Sequence, residues 1–183
     1  MGNRHELLES TSVFQGRFLE MLVDRIRLPD GEESVREWVR HPGAAAVVAM
    51  EGGRVLLVRQ NRHAVGENLL EVPAGKLDPA GEDPEVCARR ELEEETGYSC
   101  GKMEPLVSFF ASPGFTNEVI HVFLATGISR AGPPPETDHG EPITIEWVGL
   151  EEVIGGIVAG IIRDSKTIIG LLLARLKLGP PRS

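Results

Sequence analysis

Two signals bracket a helix near the middle of the chain and fix where its acids point. Asp83-Pro84 offers a side-chain acceptor at the N-cap and a proline at the first helical position, and Gly97 can stop the helix in the left-handed conformation. The pattern predicts a helix over Pro84–Thr96. At about 100° per residue, Glu91, Glu94 and Glu95 of the run Arg90-Glu91-Leu92-Glu93-Glu94-Glu95 share roughly a 100° arc, while Glu93 points away. Leu92 and Ala88 border that arc on the side expected to be buried, which puts the acids at the edge of a core. Like charges gathered there raise one another's pKa unless a cation compensates. Hard oxygen donors of this kind suit Mg²⁺ or Mn²⁺. Taken alone, a Glu-rich helix is as readily a solvated face, because glutamate is a good helix former.

The chain has 183 residues, 41% of them apolar, enough for one well-filled core and too few for two full domains. Its 28 acidic and 19 basic residues give a formal charge of −9, which argues against nucleic acid or an anionic membrane as partner. An anionic substrate therefore needs local help, from a metal or a few placed arginines. Two cysteines, Cys87 and Cys100, make a poor disulfide framework and fit a reducing cytosol. The start, MGNRHELLESTSVF, lacks a signal-peptide core, and Glu6 stands where a myristoylation signal wants Ser or Thr. The longest apolar run, 153–162, is too short to span a bilayer. An unexported, cytoplasmic protein is expected.

Residues 14–28 and 34–40, separated by Pro29-Asp30-Gly31, predict an N-terminal antiparallel hairpin. A continuous apolar run at 44–50 suits a buried strand, and Gly52-Gly53 turns it into another at 54–60. Further strands are expected at 104–111, 119–126 and 143–148, with a Pro-rich loop at 131–142. One or two helices close the chain, the better defined running from Asp164 to about Leu178. The expected division is a hairpin region at 1–42 and a catalytic domain at 43–183.

Around the acidic helix stand Gly75, Glu82, Arg90-Glu91-Leu92, Glu94-Glu95 and Gly97-Tyr98, with seven residues between Glu82 and Arg90. This series resembles the Nudix box: a glycine, a glutamate, then Arg-Glu-hydrophobic-any-Glu-Glu-any-Gly-hydrophobic. The chain departs from the pattern in one place, because six residues, 76–81, separate Gly75 from Glu82 where the family has five. The extra residue precedes the helix and leaves the register of its acids unchanged. The resemblance implies an α/β fold, the Nudix α/β/α sandwich with a mixed sheet, here with an N-terminal antiparallel β hairpin appended. It implies Mg²⁺, with Mn²⁺ as a substitute, held by Glu91, Glu94, Glu95 and the backbone carbonyl of Ala74. Glu95 would be catalytic as well as a ligand, and an Arg90–Glu82 ion pair would orient the cluster. Such cations neutralise diphosphate oxygens, lower the pKa of water and stabilise the leaving phosphate.

Further segments carry a resemblance to the ADP-ribose pyrophosphatase branch. They include Gly16-Arg17-Phe18-Leu19, Leu28-Pro29-Asp30-Gly31, His41-Pro42-Gly43, Val58-Arg59-Gln60 with Arg62, Glu71-Val72-Pro73-Ala74-Gly75, and Ser112-Pro113-Gly114-Phe115-Thr116-Asn117-Glu118. Pro113, fifteen residues past Tyr98, is the mark of that branch. By this resemblance the substrate is ADP-ribose, cleaved to AMP and ribose 5-phosphate. Arg62 contacts the diphosphate, a sensible partner for a guanidinium fork. Gly114 and Glu118 lie near the terminal ribose. The branch forms domain-swapped homodimers that hold adenine with the partner's hairpin, which makes Phe18, Arg36, Glu37 and Trp38 candidates for that contact. Trp38 either stacks on the base or packs in a core or interface. The general base is sought among Glu136, Asp138, His139 and Glu141, with Glu141 preferred and His139 next. Rival substrates are a nucleotide sugar, NADH or a dinucleoside polyphosphate. A non-catalytic Nudix ligand sensor is disfavoured because all three helix acids are present.

Overall fold

The computed structural model describes residues 5–78, 81–132 and 143–179. The chain divides into two compact units, Met1–Gly43 with Phe110–Val119, and Ala44–Phe109 with Ile120–Ser183.

In the first unit, β1 (Glu6–Gln15), β2 (Glu20–Arg27) and β3 (Glu33–Arg40) form an antiparallel sheet in that order. The expected hairpin is β2 with β3, and its turn is closed by the Gly31 N–H donating to the Leu28 carbonyl at 2.9 Å, with Gly31 at φ 91°. The structure departs from the sequence expectation upstream. Residues 14–28 are not one extended stretch, because the chain turns at Gly16, whose N–H donates to the Leu19 carbonyl at 2.8 Å, and an additional strand, β1, precedes that turn. Leu8 is the one half-buried residue of β1, and Leu7 and the rest are exposed, so no apolar alternation announces this strand. Its pairing is marked instead by cross-strand ion pairs, Arg27–Glu6 at 2.8 Å and Arg25–Glu9 at 3.2 Å. The segment 110–119 joins β3 through a parallel bridge between Val39 and Thr116 and through the Val39 N–H, which donates to the Phe115 carbonyl at 2.7 Å.

The second unit is built on β4 (Ala44–Glu51), whose side chains from Ala45 to Ala49 are fully buried. Both faces of the strand are covered, which is why it reads as an unbroken apolar run. Next come β5 (Arg54–Arg62), β6 (Glu67–Glu71), β7 (Ala74–Lys76), α1 (Pro84–Thr96), β8 (Tyr98–Phe110), β9 (Val119–Arg130) and β10 (Thr144–Gly149). The sheet order is β10-β5-β4-β9-β8, with β6 beside β5 and β7 beside β4. It is a mixed sheet, since β4 runs parallel to β9 and antiparallel to β5 and β7. Helices α2 (Leu150–Val158) and α3 (Ser165–Leu178) complete it.

Strand alternation sorts the two helical layers. Ala45, Val47 and Ala49 share a core with Cys87, Ala88 and Leu92 of α1. Val48 faces the other way, against Gly170 of α3. The result is an α/β/α sandwich. Short β6 and β7 were absent from the sequence expectation, and β9 runs beyond residue 126 by passing Gly127 at φ 67°. Cys87 and Cys100 are free thiols. Among the described residues no helix is long and apolar enough to cross a membrane.

Candidate active site

Helix α1 has the ends its sequence predicts. The Asp83 carboxylate accepts from the N–H groups of Glu85 and Val86 at 2.9 and 3.2 Å, and Gly97 closes the helix at φ 71°. Burial of Cys87, Ala88, Leu92 and Thr96 fixes its rotation. That rotation leaves Glu91 and Glu95 half-buried at the rim and Glu93 and Glu94 exposed.

Arg90 ties the rim together. Its Nε and Nη2 donate to the Glu82 carboxylate at 3.1 and 3.0 Å, while Nη1 donates to Glu91 at 2.7 Å and to Glu94 at 2.9 Å. Glu82 also accepts from the Asp78 N–H at 2.9 Å. The loop is one residue longer than the family pattern, yet Glu82 still meets Arg90 face on. Bonding to Arg90 pulls the Glu82 carboxyl down to about 2, and the same bond raises Arg90.

Glu91 and Glu95 rest on the backbone of β7. A Cβ at Gly75 would lie 1.9 Å from Glu91 Oε1, so the glycine makes room for that carboxylate. Glu95 accepts from the Ala74 N–H at 3.1 Å. Burial raises the Glu95 carboxyl to about 7, with repulsion from Glu91 adding and the Ala74 N–H opposing. Burial likewise raises Glu91, against the pull of Arg90. Among the described residues no three His, Cys, Asp or Glu side chains converge closely enough to enclose an ion as they stand, because Arg90 spans Glu91 and Glu94. The donor set nevertheless fits a hard divalent cation: two rim carboxylates that burial disfavours as anions, a third within reach of the same guanidinium, and a backbone left open at Gly75.

Around Arg62, a candidate from the sequence, lies a second charge cluster whose other members, Glu71, Lys166 and Asp164, the sequence did not assign to the site. The buried carboxylate of Glu71, 1% exposed, accepts from Arg62 Nε at 2.7 Å and Arg62 Nη2 at 2.6 Å. Lys166 also donates to Glu71 and to Asp164, the latter at 3.0 Å. The Thr167 hydroxyl donates to Asp164 at 2.6 Å and accepts from the Val72 N–H at 2.9 Å. Burial pushes Glu71 up, but the two cations outweigh it and hold the carboxyl below its ordinary value. The charges of Arg62 and Lys166 also reach Glu95 and oppose its upward shift. Glu71 lay within a segment noted in the sequence without a role, and Lys166, a lone lysine opening an apolar helix, carried no signal of its own.

The remaining sequence candidates with described positions lie in the first unit. Gly114 is exposed, and a Cβ added there would meet nothing within 4 Å, so the chain itself does not require glycine. Glu118 lies 3.6 Å from His41, and Phe18 meets the His41 ring edge-on at 6.3 Å between centroids. On β3, Arg36 donates to Ser34 Oγ at 2.7 Å, Glu37 is exposed, and Trp38 donates from Nε1 to Asp24 at 2.8 Å. Glu141, like Glu136, Asp138 and His139, lies outside the described residues.

Residues 39–168 match the NUDIX domain, and residues 6–39 match the nucleoside diphosphate sugar hydrolase N-terminal domain. A methanol dehydrogenase activator from Bacillus methanolicus is 42% identical over 93% of this chain and 92% of its own. An ADP-ribose pyrophosphatase from Bacillus subtilis (strain 168) is 39% identical over 90% of this chain and 89% of its own. A crystal structure of an ADP compounds hydrolase superposes with a TM-score of 0.83 at 19% identity, covering 96% of this chain and 94% of that one, which speaks to the fold.

Proposed function

The chain belongs to the Nudix family, and from that membership we propose that it is a Mg²⁺-dependent pyrophosphatase cleaving ADP-ribose to AMP and ribose 5-phosphate. The family match and the named relatives together make the chain a Nudix hydrolase of nucleoside diphosphate derivatives. The observation that carries the reading is the Glu91 and Glu95 pair seated on Gly75 and Ala74, with the charge of Arg62 felt at Glu95.

In this reading Glu91, Glu94, Glu95 and the Ala74 carbonyl hold the metal, and Glu95 is catalytic. Bound there, a divalent cation supplies charge neutralisation at the diphosphate and acidifies water. Water attacks one phosphorus, the bond to the bridging oxygen breaks, and that oxygen leaves on the other phosphate. Glu141 takes the proton of the attacking water, with His139 next in line. Arg62 holds a diphosphate oxygen through a guanidinium that Glu71 already orients. Arg90 and Glu82 keep the acids in place by the ion pair described above.

Gly114 and Glu118 receive the terminal ribose, and the open space at the Gly114 Cβ position is compatible with a ligand approaching the backbone. Residues 1–42 serve dimerisation and adenine binding through Phe18, Arg36, Glu37 and Trp38, while 43–183 is the catalytic domain. Support for a swapped homodimer comes from Val13, Phe14, Met21 and Val35, apolar side chains left exposed on the first sheet. A nucleotide-sugar substrate is the second reading, favoured by the match of residues 6–39.

The deciding assay presents the Mg²⁺-loaded protein with ADP-ribose, GDP-mannose, NADH and diadenosine polyphosphates in parallel. The proposal expects ADP-ribose to give the highest kcat/KM. A ranking led by GDP-mannose transfers the assignment to nucleotide sugars.

A further inference from the structure

We propose that Lys166 is a positioning residue for substrate binding: through Glu71 it fixes the guanidinium of Arg62 in the orientation that offers Nη1 to a diphosphate oxygen. The inference rests on the reading of Arg62 given above and deepens it.

The geometry has a closed end and an open end. Glu71 is 1% exposed and takes two bonds from Arg62 and one from Lys166. Lys166, 8% exposed, is in turn held by Asp164, the N-cap of α3, whose other oxygen binds Thr167 through both its N–H and its hydroxyl. Every member so far is enclosed. Arg62 is the exception, with its side chain 38% exposed and its Nη1 without a partner among the described residues.

A buried ion cluster is a poor device for stability alone, since an apolar cluster of equal volume is commonly as stable. Its distinctive property is directional. Two parallel bonds from Nε and Nη2 to one carboxylate fix the guanidinium plane, and hence the direction of Nη1, provided that the carboxylate itself cannot rotate. Lys166 supplies that condition from helix α3, while Arg62 and Glu71 stand on strands, by bonding the same oxygen, Oε2, that Arg62 Nη2 uses. The open end lies near Glu95, one of the proposed metal-binding carboxylates: Glu71 stands three residues before Ala74 in the chain, and the Ala74 N–H donates to the Glu95 carboxylate at 3.1 Å, in keeping with the attraction between Arg62 and Glu95. The cluster is therefore a foundation reaching from the start of α3 to a donor that faces the place where the diphosphate binds.

Affinity can be read without turnover by calorimetric titration of ADP-ribose in EDTA, on the wild-type chain, Arg62→Ala, Lys166→Met and the double variant. Each single variant should bind about tenfold more weakly. The double variant should lose no more than about twofold beyond Arg62→Ala, because a residue acting through Arg62 then has nothing left to orient. Lys166→Arg, which keeps a cation, should recover binding to within about threefold of wild type. Wild-type affinity in Lys166→Met overturns the inference, as do losses that multiply in the double variant. A lowered melting temperature with unchanged affinity also overturns it, because that is the signature of a purely structural role. If Arg62→Ala itself binds normally, the reading of Arg62 as a diphosphate contact falls, and the inference with it. Normal binding by Lys166→Met alone removes only the inference. Glu71→Gln takes the place of Lys166→Met should that variant not fold. Parallel titration with GDP-mannose keeps the cycle decisive if the chain prefers another nucleoside diphosphate.

Discussion

Gly75 shows how a single missing methyl can matter at the residue scale. Its backbone is not in the left-handed region, so alanine is conformationally acceptable, but its Cβ would stand where the Glu91 carboxylate now sits. The carboxylate is the far end of a flexible chain and can move aside. Gly75→Ala should therefore leave stability within about 1 kcal/mol of wild type while lowering kcat/KM by about tenfold or more, since small displacements of reacting groups are costly. A melting curve and an initial-rate assay on the same preparation check both halves. Glu82 yields a prediction about pH. Its carboxyl is held at about 2 in the folded chain by Arg90 and would titrate near about 4.3 when unfolded. The lowered value means that the pair stabilises the fold at pH above the unfolded value and that this contribution is lost as pH falls toward the folded one. Urea midpoints measured from pH 6 to 2 should decline, and Glu82→Gln should flatten part of that decline. An unaltered slope in the variant assigns the loss to other carboxylates.

At the scale of elements, legibility followed burial. Helix α1 was readable to the residue because capping chemistry at Asp83 and Gly97 is local, and β4 was readable because both its faces are buried. Strand β1 was not, since its register is set by ion pairs with β2 that leave no periodic trace, and β7 is only three residues long. The acids of α1 could be placed from helical geometry alone. The cluster of Arg62, Glu71 and Lys166 could not, because it joins β5, β6 and α3, which only the tertiary fold brings together. Helix α3 also carries a test of packing. A Cβ at Gly170 would lie 2.9 Å from Val48 Cγ2 and 3.0 Å from Val122 Cγ1, both on stiff β-branched side chains. Alanine at an ordinary helical site stabilises relative to glycine by about 1 kcal/mol. Gly170→Ala should instead destabilise by about 1–3 kcal/mol as α3 is pushed off the sheet. Denaturant unfolding gives the sign directly, and a stabilised variant would show that the helix can shift at no cost.

For the whole molecule, the proposed division of labour makes each catalytic site depend on two chains, and that dependence can be measured without locating the nucleotide. Glu95→Gln disables the catalytic unit and leaves the N-terminal sheet intact. Trp38→Ala weakens the proposed adenine contact, through loss of a half-buried ring tied to Asp24, and leaves the acids intact. In a heterodimer of these two variants with exchanged N-terminal regions, one site inherits both defects and the other inherits neither. Random pairing on co-expression makes half the dimers heterodimeric, so about a quarter of wild-type site activity should return at low substrate concentration. If adenine is held within one chain, every site in the mixture keeps exactly one defect, and the activity is no more than the average of the two variants assayed separately. Recovery above that average therefore requires a second chain at the site, whichever nucleoside diphosphate the enzyme prefers.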